Sequence, residues 1–120
     1  MKRIGKGLYL ILLGMFLSAS LLPSGEANAE PTWITCTPVN IVAYDIRVHV
    51  KCAAAVAGIQ FFAAPTTDPA NVARILSVIS TAQVAGRTLF ILYDPDDLIG
   101  DSYGCLTNDC RPIIAVGFGQ

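Results

Sequence analysis

A chain of 120 residues has room for a leader and one domain, not for two substantial domains. Eight Lys and Arg against nine Asp and Glu leave a formal charge of −1, which excludes a general electrostatic pull toward nucleic acid or anionic lipid. The mean hydropathy of +0.56 is too high for an ordinary small surface-rich domain and points to one strongly apolar segment.

That segment is at the N-terminus. Lys2, Arg3 and Lys6 precede a mostly apolar run from Leu8 to Leu22, and Ala27-Asn28-Ala29 follows as a small-x-small cleavage site. This is the layout of a signal peptide, residues 1–29, ahead of one domain, residues 30–120. A transmembrane anchor is the rival reading, but the run is short for a ~20-residue span. No cysteine lies at the cleavage site to take a lipid. The exported part carries Arg47, Lys51, Arg74, Arg87 and Arg111 against Glu30, Asp45, Asp68, Asp94, Asp96, Asp97, Asp101 and Asp109, a balance of −3.

Trp33 to Ala43 is rich in Thr, Val and Ile and predicts a first strand, interrupted at Pro38 by an edge or a bulge. Tyr44-Asp45 marks a turn. Ile46 to Cys52 alternates strictly, with Ile46, Val48, Val50 and Cys52 on one face and Arg47, His49 and Lys51 on the other. Gly58 to Ala64 predicts a third strand with Phe61 and Phe62 on opposite faces, ended by Pro65-Thr66-Thr67. Asp68 suits a helix N-cap and Pro69 the first helical position. Val72, Leu76, Ile79 and Gln83 then form a stripe widened by Ile75 and Ala82, with Asn71, Arg74, Ser77 and Ser80 on the polar side and Gly86 as the stop. Arg87 to Tyr93 predicts a fourth strand, Asp94 to Cys110 a long loop, and Arg111 to Phe118 a last strand.

Three strands, a helix and two strands is the order of the OB-fold. The predicted class is therefore mainly β: a five-stranded OB-fold-like Greek-key barrel with one helix between strands 3 and 4. A domain this small buries a thin core and is often stapled. Cys36, Cys52, Cys105 and Cys110 are an even set in an exported chain, which reads as two disulfides. A hairpin centred on Tyr44 would set Cys36 opposite Cys52, favouring Cys36–Cys52 with Cys105–Cys110; the two other pairings of the four remain open. A four-cysteine zinc site is disfavoured, because the spacings x15, x52 and x4 hold no CxxC knuckle.

Arg47, His49 and Lys51 share a face of the strand that OB-folds use for binding, with Tyr44 and Tyr103 at the flanking loops. These five are the candidate binding residues, set against the plainer reading of a solvated strand face. Trp33 is a further aromatic group able to stack on a ring. Asp94, Asp96, Asp97 and Asp101 crowd one loop, but their spacing is not that of an EF-hand, and a turn rich in Asp and Pro explains them better. No nucleophile motif is present, and a hydrolase would have to rely on His49 with a loop acid. No cofactor or metal is expected, and no enzymatic activity.

The exported, disulfide-bearing element order resembles, across residues 33–118, the pentameric receptor-binding subunits of bacterial toxins, the cholera-toxin-like group. In that group the corresponding helix lines a central pore, so the resemblance gives that place to Asp68 to Ala85 and implies a homo-oligomer. The chain is also similar to small uncharacterised bacterial exported proteins with a pattern like Arg47-Val48-His49-Val50-Lys51-Cys52, a helix, and a late Gly104-Cys105. The expectation is a secreted or periplasmic, non-catalytic binding module for a glycan or a protein surface, without nucleic acid and without stable membrane insertion once cleaved. The alternative is a cell-envelope structural or inhibitory protein that pairs with a partner chain.

Overall fold

The computed structural model describes residues 30–119; the leader 1–29 and residue 120 lie outside them. The elements in chain order are β1 (Thr32–Cys36), β2 (Pro38–Ala43), β3 (Arg47–Val56), β4 (Ile59–Pro65), α1 (Pro69–Val84), β5 (Leu89–Tyr93), a 3-10 helix (Ile99–Tyr103), β6 (Cys110–Pro112) and β7 (Ala115–Gly117). The protein is mainly β, with seven strands in two sheets and one α-helix. One sheet has the order β1-β5-β7 and the other β2-β3-β4-β6; every neighbouring pair is antiparallel except β4 with β6, which is parallel.

In place of the expected five-stranded barrel, seven strands form two separate sheets, because two of the expected strands change sheet midway. The stretch Trp33–Ala43 breaks at Thr37. Cys36 pairs with Leu89 in one sheet, and Pro38 stands opposite Cys52 in the other. Pro38 has no N–H to continue a ladder, and a register shift follows between Pro38 and Asn40. The stretch Arg111–Phe118 breaks the same way. The Ile113 N–H donates to Ala63 O of β4 (2.8 Å), and the Ile114 N–H to Leu92 O of β5 (2.9 Å), so adjacent residues bond to different sheets.

Both disulfides are present, Cys36–Cys52 and Cys105–Cys110. The expected hairpin geometry was wrong, although the first pair was right. The turn is centred later than Tyr44, with Ala43 opposite Val48, so Cys52 faces Pro38 rather than Cys36 within the ladder. Cys36 belongs to the other sheet, and its bond to Cys52 (Cα–Cα 5.2 Å) staples the two sheets together beside the Thr37 corner.

Between the sheets lies one core. β3 contributes Val48, Val50 and Cys52, β4 contributes Ile59, Phe62 and Ala64, and β5 contributes Leu89, Ile91 and Tyr93. Helix α1 closes it with Val72, Ile75, Ile79 and Ala82. Each large side chain buried here is worth about 1.5–3 kcal/mol. The Asp68 carboxylate caps α1 by accepting from the Asn71 N–H (3.1 Å), with Pro69 in the first turn. Two expected inward residues face out. Gln83 lies past the end of the apolar stripe, and Ile46, 47 % exposed, precedes β3 within the turn. Among the described residues no helix is long and apolar enough to cross a membrane.

The two staples should differ in weight. Cys36–Cys52 closes the longer loop and joins the sheets, so replacing both cysteines with alanine should lower unfolding free energy by about 3 kcal/mol, against about 2 kcal/mol for Cys105–Cys110. Urea denaturation of the two double variants measures this; a larger loss from Cys105 and Cys110 would contradict the assignment.

Candidate functional site

Alternation along β3 sends Val48, Val50 and Cys52 into the core and Arg47, His49 and Lys51 outward. All three outward residues are nevertheless half-buried, because rings and a loop fold over them. The turn before β3 is tight, with the Tyr44 N–H donating to Arg47 O (2.7 Å), and this lays the Tyr44 ring back over the strand. The Arg47 guanidinium carbon sits 4.0 Å from the Tyr44 ring centroid. The His49 ring lies between Tyr44 and Phe61, with centroids 5.3 Å from each. Phe61 stands opposite Lys51 in the β3–β4 ladder, and the Lys51 Nζ is 5.7 Å from its ring centroid.

Tyr103 arrives from the other side. Arg47 Nη1 donates to the Tyr103 carbonyl (3.2 Å), tying the loop after β5 to β3. Gly104 follows in the left-handed region at φ +89°, and a Cβ there would collide with Arg47 Nη1. Glycine is thus required twice at this position, for its backbone and for the space the guanidinium occupies. Arg47 Nε is buried with no hydrogen-bond partner. The Cys105–Cys110 bond stands directly beneath, in a small apolar cluster of its own with Ala63, Phe61 and Tyr103. The 3-10 helix packs closely on it: a Cβ on the buried Gly100 would lie 2.7 Å from Cys105 Cβ.

The result is a recess of about 160 Å³ lined by Arg47, His49, Phe61, Gly104, Leu106, Asp109 and Cys110. Asp109 is held by its backbone, whose carbonyl accepts from the Gln60 and Phe61 N–H groups (3.0 Å each). Burial lowers the His49 pKa, and the Arg47 charge lowers it further, so the imidazole is neutral at neutral pH. Burial raises the Tyr103 pKa, assisted by the Asp97 charge.

Of the five candidate residues, Arg47 and His49 line the recess, Tyr44 and Tyr103 touch Arg47 beside it, and Lys51 lies next to Phe61. Their parts differ. Arg47 braces the loop, and Tyr103 contributes its carbonyl to that brace. Phe61, Gly104, Leu106 and Asp109 complete the recess and were not anticipated as site residues; for Phe61 the signal was its outward place beside inward Phe62. Trp33 lies apart, on the outer face of the other sheet, where it lines an apolar groove with Phe90 and Phe118. The acidic loop builds turns: Asp94 Oδ1 accepts from the Asp96 N–H (2.9 Å) and Asp97 Oδ1 from the Ile99 N–H (3.0 Å). Among the described residues no three His, Cys, Asp or Glu side chains gather as a metal site.

Comparison with family models, with curated proteins and with solved structures finds no match to the chain.

His49 is the chain's one histidine, so its titration is directly readable. Its folded pKa is lowered below the ordinary 6.5, so the unfolded chain binds the proton first as pH falls. Stability from this group is complete above pH 6.5 and declines as pH drops from there through the folded pKa. NMR titration of the imidazole should place its midpoint below 6.5; a midpoint above 6.5 would contradict the packing described.

Proposed function

We propose that the chain is an exported, non-catalytic binding module that takes a glycan on the outer face of β3 and β4. The observation that carries this reading is the recess itself. A largely apolar lining of Phe61, Leu106 and Cys110 is bordered by Arg47, a neutral His49 and Asp109. Small-ligand sites commonly combine such an apolar lining with a few fixed polar groups. A sugar offers a C–H face to Phe61 and hydroxyls to His49 and Asp109.

The pairing order supports reading the two sheets as halves of an OB-type barrel. β2 pairs with β3, β3 with β4, β4 in parallel with β6, β7 with β5, and β5 with β1. At Thr37 and Ile113–Ile114 the chain itself passes from one sheet to the other, in place of the strand pairing that would close a barrel, and α1 lies between the third and fourth strands of that order. OB-folds bind on strands 2 and 3 and on the loops joining strands 1 to 2 and 4 to 5. On this reading those are β3, β4, the Tyr44 turn and the loop carrying Tyr103 and Asp109. A hydrolase draws less support, because rings flank His49 on both sides.

One observation favours the partner-chain alternative. Trp33 (56 % exposed), Phe90 (42 %) and Phe118 (37 %) leave an aromatic groove uncovered on the β1–β5–β7 sheet. That groove shares no lining residue with the recess, so the two readings are separable by mutation.

Export is supported by the leader pattern and by two disulfides in a small domain. Mass spectrometry of the exported form should find Glu30 at the N-terminus; an intact 1–29 segment in the membrane fraction would oppose it. A glycan array should give a ligand whose affinity falls at least about tenfold in Phe61→Ala, a loss of about 1.4 kcal/mol. Trp33→Ala should leave it unchanged. A ligand lost with Trp33 and kept with Phe61 would move the function to the other sheet.

A further inference from the structure

The recess has an unanswered donor. Arg47 uses Nη1 on Tyr103 O, and its Nε–H is buried without an acceptor. A guanidinium presents its donors as a rigid planar fork, and a buried donor left unmade is costly. The brace on Nη1 fixes the plane of the group. The Tyr44 ring covers one face and Gly104 crowds Nη1, which leaves the Nε edge as the side without a partner. Two oxygens in one plane are the complement of that edge, and a carboxylate supplies them.

We infer that the saccharide taken by this recess carries a carboxylate, and that the acid group binds the Nε edge of the Arg47 guanidinium as the Tyr44 ring swings aside. This rests on the glycan reading above and names the sugar class. The Tyr44 side chain is 43 % exposed at a turn, so its movement uncovers no core residue. Charges around the recess favour this polarity. Arg47 lines it from β3 with His49 beside it, Lys51 lies next to the lining Phe61, and the loop brings Asp109 to the recess and Tyr103 to Arg47. Asp97 acts on Tyr103 from behind. Asp109 keeps the acid group at the Arg47 end and accepts hydroxyl protons at its own. His49 is neutral at neutral pH, and protonating it adds a positive charge two residues from Arg47, about 7 Å along the strand. Binding of an acidic sugar therefore tightens as pH falls through the His49 titration, until the ligand's own carboxylate is protonated.

The test uses the exported, disulfide-bonded protein on an array of matched pairs: uronic and sialic oligosaccharides beside their methyl-esterified or neutral counterparts, read at pH 7 and at a pH below the His49 midpoint found by NMR titration. The best pair is then titrated while the Arg47 Nε–H resonance is followed by NMR. The acid member is expected to bind at least about tenfold tighter than its neutral counterpart. The Nε–H resonance should shift with the acid alone, and the preference should grow at the lower pH. Lys51→Gln, a surface change that keeps the brace, should shrink the preference, and His49→Gln should remove its growth with acid. Equal binding of acid and neutral members overturns this inference and leaves the glycan reading in place. Binding of no glycan overturns both. An acid preference with an unmoved Nε–H resonance overturns the assignment to Arg47.

Discussion

The bond between Cys36 and Cys52 is where the two sheets become one molecule. β1 leaves its sheet at Cys36, the chain turns through Thr37, and β2 begins at Pro38 in the other sheet. At that corner the ladder is interrupted, since Pro38 has no N–H to donate and the register shifts within two residues. Thr37 keeps one hydrogen bond across the gap, its carbonyl accepting from the Ala53 N–H (2.8 Å). The disulfide supplies the rest, and it does so inside the core, with Cys36 2 % and Cys52 1 % exposed. A sheet of three short strands and a sheet of four can share Phe62, Ile79, Leu89 and Ile91 only while their spacing is fixed, and small cores have little surplus burial with which to fix it.

The candidate site follows from that arrangement. Because Val48, Val50 and Cys52 are committed to the core, Arg47, His49 and Lys51 must point away from it. Because β6 runs parallel beside β4, the chain between β5 and β6 has to cross over the outer face of β4, and this carries Tyr103, Gly104 and Asp109 to Arg47 and His49. The second disulfide closes a short ring within that crossing and gives the loop a floor separate from the main core. The two bonds thus serve different links of the chain from sequence to function: one holds the fold, the other holds the recess wall.

Much of this was legible from residue pattern. The alternation of Arg47 to Cys52 matches the inner and outer faces of β3, while Ile46 does not; Asp68-Pro69 marked the helix start, and the even cysteine count pointed to two disulfides. The failures have physical causes. A strand that changes sheet keeps the same β-rich composition on both sides of the corner, so Trp33–Ala43 and Arg111–Phe118 each read as one element. The hairpin register depended on where a turn was centred, and a displacement of little more than one residue moved Cys52 from Cys36 to Pro38. Arg47 looked like a surface cation because its partner is a backbone carbonyl, Tyr103 O, which has no sequence signature. Asp109 joins the site through a parallel pairing about fifty residues distant in the chain, and no local pattern encodes that.

The central claim is that both sheets form one cooperative core pinned at the Thr37 corner, with the recess loop as a less stable layer upon it. Native-state hydrogen exchange of the disulfide-bonded protein tests this most directly. The amides of Val50 in one sheet and Ile91 in the other should exchange with the same free energy, that of global unfolding. The Leu106–Cys110 segment should open at lower free energy. Separate opening energies for Val50 and Ile91 would show two independently unfolding sheets and contradict the account.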